Sequence, residues 1–340
     1  MKREQQDVNE VDRWRREDAS PWCGQSSHEW QHFIIWSRAG VLILNFSIEV
    51  PLAGPSKARL LVLHCDSTWK TDVRFSPDLS FGSSGLRCRM DGCILDIFAE
   101  GWRIELDDSG FVSGHMHFVP VARPLVARNR AIVDRARLHW VMYPLVRVHG
   151  ELWLNGTRHV LDGDPVYHDH NWGRFDWGED FGWEWGILMP DAAGAAIVFS
   201  ALTCKTHMTR RLQQIFVWSK YRHFWTARGP EIRSSHHGAL VPDQVETIPA
   251  VFALVSPPAR HPPPLRLDFA AAGEGRKLEV QCELRRRARI LVPTSAGPTS
   301  TMVLEECIGE AKGRISIEGR PVDVTGRCVF EFLGRDRSDC

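Results

Sequence analysis

Polar and apolar residues alternate with a period of two along most of this chain. Between Leu145 and Leu154, Val146, Val148, Leu152 and Leu154 fall on one side, and Arg147, His149, Glu151 and Trp153 fall on the other. That is the pattern of a half-buried antiparallel strand. Lys277–Leu284 repeats it, with Leu278, Val280, Cys282 and Leu284 facing one way. Further short apolar segments lie at His32–Trp36, Val41–Val50, Leu60–Cys65, Cys93–Phe98, Trp102–Leu106, Phe111–Val119, Phe181–Leu188, Ala195–Thr203, Gln213–Lys220, Val251–Val255, Leu265–Phe269, Arg314–Glu318 and Arg327–Leu333, broken by Gly, Pro, Asp and Ser. No long stretch with helical spacing separates them. Short strands recurring every ~8–12 residues predict an all-β protein, and closed antiparallel barrels are favoured because closure removes sheet edges.

With 340 residues the chain has material for two domains, at ~100–200 residues each. Residues 1–27 are polar and aperiodic, so they read as a flexible leader or an arm over a barrel mouth. The remainder divides into barrels over 28–175 and 176–340. Consecutive prolines in Ser256-Pro257-Pro258 through His261-Pro262-Pro263-Pro264 cannot donate to a sheet, so this stretch is expected as a stiff surface connection.

The 42 basic residues balance 42 acidic ones, leaving no long-range field to attract nucleic acid, and membrane contact would be transient at most. One dense basic run, Arg285-Arg286-Arg287-Ala288-Arg289, reads as a solvated strand end. Nine cysteines without paired spacing are expected as reduced thiols. The polar Met1–Glu17 lacks the apolar core of a signal peptide, and no span of ~18 apolar residues follows, so a cytoplasmic location is expected. Fourteen Trp against three Tyr suit both β-cores and apolar ligand sites.

Chemistry concentrates in Tyr167-His168-Asp169-His170-Asn171-Trp172-Gly173 and, shortly after, Trp183-Glu184-Trp185-Gly186. On a strand, Tyr167, Asp169 and Asn171 share one face, while His168, His170 and Trp172 share the other. Asp162-Gly163-Asp164-Pro165 signals a turn just before. Three readings follow. Asp169 in an apolar pocket beside Tyr167 would have a raised pKa and serve as a general acid. Alternatively, His168 and His170 ligate a metal with His139, His149 or Glu184. In the third, the polar residues form a satisfied network that pins the barrel.

The same segment resembles the lipocalin-like superfamily that contains the carotenoid 1,2-hydratases (hydroxyneurosporene synthases). His139-Trp140, Tyr143-Pro144, the strand to Leu154 and Gly163 follow that family's order, as do His28-Glu29-Trp30 and the segment from Val324-Thr325-Gly326 to Phe330-Glu331-Phe332. Fungal lipocalin-like Diels-Alderases carry a similar Tyr-His-Asp…Asn-Trp-Gly segment and Trp-x-Trp-Gly. The resemblance spans about residues 28–335 and is specific over about 139–186. It implies two consecutive lipocalin-like β-barrels with an apolar site near their junction. Carried over residue by residue, it makes Asp169 the proton donor, Tyr167 its hydrogen-bonding partner and His139 a third catalytic residue. Trp140, His168, His170, Asn171, Trp172, Trp183 and Trp185 would line the substrate, and Trp140, Trp183 and Trp185 could stabilise a developing cation. The chain departs from the hydratases at His28-Glu29-Trp30-Gln31-His32-Phe33, where they show Gly-Gly and Trp-Trp-Tyr, which points to a different substrate.

His115 and His117 permit a strand metal pair, but no acidic or thiol ligand accompanies them. His236-His237 reads as an exposed turn. A GxSxG elbow and phosphate-binding loops are absent. The expected function is therefore a cofactor-independent, metal-free lyase or isomerase that protonates, hydrates or cyclises an unsaturated apolar metabolite, isoprenoid or polyene-like. A Diels-Alderase-like cyclase without acid catalysis, or a non-catalytic carrier of a hydrophobic ligand, are the alternatives.

Overall fold

A computed structural model describes residues 7–15, 26–51, 56–76, 79–82, 84–131, 136–175, 181–191, 195–204, 209–240, 245–248, 262–273, 275–294, 297–317 and 319–335. The expected strand Val251–Val255 and most of the Pro-rich stretch lie outside these residues. The chain separates into two compact units, Met1–Phe175 and Asp176–Cys340. Each is built on one curled antiparallel sheet of lipocalin-like type.

Both sheets follow one plan. In the first unit, the opening strand Ser27–Ser37 pairs with the closing strand Thr157–Arg174. Hairpins then extend the sheet from both: Gly40–Val50, Lys57–Cys65 and Trp69–Ser76 on one side, Arg137–Leu154, Val112–Pro120 and Trp102–Leu106 on the other. In the second unit, Gly182–Pro190 pairs with Arg320–Arg335, and hairpins again run outward from that pair. One strand breaks the antiparallel pattern, because Val245–Ile248 runs parallel to Arg276–Thr294. Among the described residues no helix is long and apolar enough to cross a membrane.

The alternation read from Leu145–Leu154 places its apolar side inward: Val146, Val148, Leu152 and Leu154 all belong to the first core. Pro144 sits where the pairing of Arg137–Leu154 with Thr157–Arg174 shifts register, a position that tolerates the missing N–H. Of the polar leader, Asp7–Arg15 is described, and it packs within this unit. Val8 and Val11, on a one-turn helix, and Trp14 are spaced every third residue, and all three are buried in the barrel core.

The second core also departs from expectation. Arg285–Arg289 is not a solvated strand end. It lies inside the long strand Arg276–Thr294, where Arg287 is 3% exposed and Arg289 5%. Alternation turns both inward, and the Glu305 carboxylate on the neighbouring strand receives the Arg287 Nε at 2.6 Å, with Arg289 also paired to it. An opposite charge on the facing strand is what makes burial of these guanidinium groups tolerable.

Candidate functional site

The outer face of the first sheet carries a block of side chains fixed by strand register. One cross-strand row reads Ser47, Trp30, Asn171, Trp140; the next reads Asn45, His32, Asp169, Met142; the third contains Ile43, Ile34 and Tyr167. Antiparallel partners share a face, so the row assignments follow from the pairing itself. Outward faces of antiparallel sheets are commonly solvated. Here, however, Ile34, Met142 and Tyr167 are fully buried, and His32, Trp140, Asp169 and Asn171 are each about 5% exposed.

Asp169 is the polar centre of this block. Its Oδ2 accepts hydrogen bonds from the Tyr167 hydroxyl at 2.8 Å and the Trp140 indole at 3.0 Å, and its Oδ1 accepts from the Asn171 amide at 2.8 Å. Indole and amide N–H groups can only donate. The cradle is thus complementary to an ionised carboxylate, and its hydrogen bonds oppose the effect of desolvation. Desolvation was the ground for expecting a general acid at Asp169, and these three donors act against it.

On the same row, the Asn45 amide donates to His32 Nδ1 at 3.1 Å. Burial holds the His32 pKa down at about 3, and the neighbouring His168 acts in the same direction. This ring is neutral at ordinary pH.

The opposite face of the Thr157–Arg174 strand looks into the barrel and meets the N-terminal segment. Asp12, fully buried, lies 3.0 Å from His168 Nε2 and 3.3 Å from His170 Nδ1. Trp102 donates its indole N–H to the same carboxylate at 2.7 Å, and Gln31 donates to the Asp12 carbonyl at 2.9 Å. His170 Nε2 contacts Glu29 at 2.8 Å, and Glu29 also accepts the Arg15 backbone N–H. Burial works against charge on His170, but Asp12 and then Glu29 outweigh it and raise its pKa to about 9. Asp12 is held below the ordinary carboxylate range by the two histidines in spite of its own burial.

These contacts sort the residues singled out from sequence. Tyr167, Asp169, Asn171 and Trp140 come together. His168, His170 and Trp172, expected to line the substrate, stand on the opposite face from Asp169, in the barrel interior. Alternation turns them inward, where Asp12, Glu29, Phe33 and Trp102 occupy them. His139 is likewise not beside Asp169. It pairs with Trp172 across the strands and stacks on its ring at 5.0 Å.

Trp183 and Trp185 lie on the outer face of the second sheet, because Glu184 and Leu188 point to the inner one. The Trp183 indole donates to Glu331 on the adjacent strand, and burial raises the Glu331 pKa to about 6. Glu184 faces inward and holds Arg210 at 2.8 Å, with His236 at 3.4 Å. His236 and His237 end a strand rather than forming a turn. His32, Asn45, Asp12 and Glu29 were not singled out. His32 and Glu29 stand in the segment where the chain departs from the hydratase pattern, which was the available signal.

Both motif glycines have steric causes. A Cβ on Gly173 would overlap the Arg137 carbonyl, and one on Gly186 would overlap the buried Phe330 ring. Gly186→Ala is therefore expected to destabilise the second unit by about 1–3 kcal/mol, as overpacking does. The check is the urea midpoint of the variant, which should fall with an unchanged m-value.

An open groove of about 770 Å³ lies on the second unit and is lined by Arg233, Arg266, Asp268, Lys312 and Arg314, among others. It contains none of the residues of the Asp169 block.

No protein-family model matches the sequence, and no curated protein matches it. Solved structures do. CghA in complex with Sch210972 aligns with a TM-score of 0.64 over 92% of this chain and 89% of its own, at 13% identity. An AttH-type protein of Nitrosomonas europaea aligns at 0.63 over 92% and 93%, at 12% identity. Kievitone hydratase from Nectria haematococca aligns at 0.56 over 97% and 96%, at 12% identity. The likeness runs over nearly the whole of each chain. At such identities it establishes the shared lipocalin-like fold.

Proposed function

We propose that this protein is an enzyme that hydrates or cyclises an unsaturated, largely apolar metabolite, with Asp169 as its proton-handling group and no cofactor. The observation that carries this reading is the buried Asp169 carboxylate, held by Tyr167, Trp140 and Asn171 on a sheet face that also presents Trp30, Ile34 and Met142. Apolar walls with a few converging polar groups are what small-molecule sites require. The fold is shared with a protein named as a hydratase and with CghA, which binds Sch210972. The motif resemblance to carotenoid 1,2-hydratases and lipocalin-like Diels-Alderases points the same way.

In a hydration Asp169 in its acid form would protonate the double bond, and the water that captures the resulting cation would return a proton to the carboxylate, with Tyr167 and Trp140 balancing the change in charge. The cyclase reading needs no proton transfer, because a carboxylate held by three donors can serve to keep the pocket in shape for a reactive conformer. The two readings part at Asp169→Asn. Incubating the protein with a metabolite extract and following product formation by mass spectrometry should give turnover that this variant loses under the proton-transfer reading and keeps under the shape-only reading.

A further inference from the structure

The open groove of the second unit, about 770 Å³ in volume, has a floor that strand register defines. Arg233 on the strand Ile232–His237, Ala270 on Arg266–Gly273, Glu279 on Arg276–Thr294, Arg314 on Gly297–Ile317 and Asp323 on Arg320–Arg335 are successive Cα partners, so they form one row across the sheet. Partners share a face. Phe269, Leu278 and Val280, the chain neighbours of this row, belong to the core of the unit, and alternation therefore turns the row outward. Arg233, Glu279, Arg314 and Asp323 are all exposed.

Most of the charges lining the groove are already matched. Arg314 pairs with Asp323 at 2.9 Å, Arg266 with Asp268 at 3.2 Å, and Lys312 with Glu283 at 3.8 Å. Arg233 and Glu279 differ, because neither makes a hydrogen bond or an ion pair with a described residue. They stand on either side of Ala270. At about 4.8 Å per strand step their Cα atoms lie roughly 10 Å apart, and the residue between them contributes only a methyl group. The groove thus presents one uncommitted cation and one uncommitted anion across a gap with a small floor.

We propose that this gap binds a small zwitterion whose carboxylate and ammonium groups are set several bonds apart, as in an ω-amino acid. The Arg233 guanidinium, a planar fork of donors, matches the carboxylate end. The Glu279 carboxylate accepts from the ammonium end, and the methylene chain between them lies over Ala270. A simple anion would satisfy Arg233 and leave Glu279 facing like charge, whereas a simple cation would do the reverse. Only a ligand carrying both signs uses both residues at once.

Calorimetric titration at low salt with ε-aminocaproate, hexanoate and hexylamine separates the two ends. The intact protein should bind ε-aminocaproate about fivefold more tightly than either singly charged probe, the factor that one well-placed exposed charge pair is worth, and added salt should reduce the advantage. In Arg233→Gln the zwitterion should bind no better than hexylamine, and in Glu279→Gln no better than hexanoate. Ala270→Leu keeps both charges but fills the gap, so it should abolish binding. All three substitutions lie on the outward face and should leave the urea midpoint unchanged. Equal affinity for the three probes, no binding of ε-aminocaproate, an advantage retained in either glutamine variant, or binding unchanged in Ala270→Leu would overturn the proposal.

Discussion

Asp12→Ala is expected to lower the melting temperature of the first unit by roughly 10 °C, measured by circular dichroism or scanning calorimetry. Truncation removes the carboxylate that His168, His170 and Trp102 share in the barrel interior. A buried ion pair contributes modestly when intact, but breaking one by removing a single partner costs about 3–5 kcal/mol, because the other charge stays buried. At about 2–4 °C per kcal/mol for a unit of this size, that cost is readily visible. Surface variants of the same leader should shift the transition by far less.

The same network sets a pH window. His170 has its folded pKa raised from 6.5 to about 9, so its contribution is fully present below pH 6.5 and is lost as pH rises through about 9; the shift corresponds to roughly 3 kcal/mol. His32 is the opposite case. Its folded pKa is lowered from 6.5 to about 3, so stability is greatest above pH 6.5 and declines as pH falls toward 3, where the unfolded chain binds a proton that the folded one refuses. Asp12, with its pKa lowered, adds a further loss at still lower pH. Urea midpoints measured across pH should therefore be highest near pH 6.5, falling on the alkaline side until about pH 9 and on the acid side toward pH 3. In Asp12→Ala the alkaline decline should flatten, since the main partner that raises His170 is gone. An alkaline limb unchanged by this substitution would show that another group controls it.

Asp169→Asn is expected to lower turnover by about 10²–10⁴-fold, the usual contribution of a positioned proton-transfer group. The substitution keeps the volume and the cradle but removes the acid: the new amide oxygen accepts from Tyr167 and Trp140, and its NH₂ donates to Asn171 once that amide turns its oxygen inward. Tyr167→Phe, which removes one donor and leaves the carboxylate, should cost less, about tenfold. Substrate affinity should change little in either variant if the loss lies in the chemical step, so kcat should carry it. Activity that survives in Asp169→Asn would favour a cyclase that works by shape.

Much of this site was legible in the chain. Alternation alone separated Tyr167, Asp169 and Asn171 from His168, His170 and Trp172, because successive side chains on any strand point to opposite faces. The spacing of short apolar segments gave the all-β architecture, and the run from Tyr167 to Gly173 marked where polar groups gather. Which face would hold which partners was not legible. His168 meets Asp12 across 156 positions of sequence, and His32 stands opposite Asp169 because the first strand of the unit pairs with its last. The buried Arg287 and Arg289 looked like a solvated run until a neighbouring strand brought Glu305 against them.

Local pattern follows from backbone geometry, which each residue carries with it. The ionisation and role of a buried group depend instead on what long-range pairing places beside it. The sequence by itself therefore determined the strands, their two faces and the presence of a carboxylate in an aromatic setting. Only the tertiary structure decided that Asp169 accepts from Tyr167, Trp140 and Asn171, that His32 stands across the strands from it, and that the conspicuous histidines are anchored by Asp12 on the other side of the sheet.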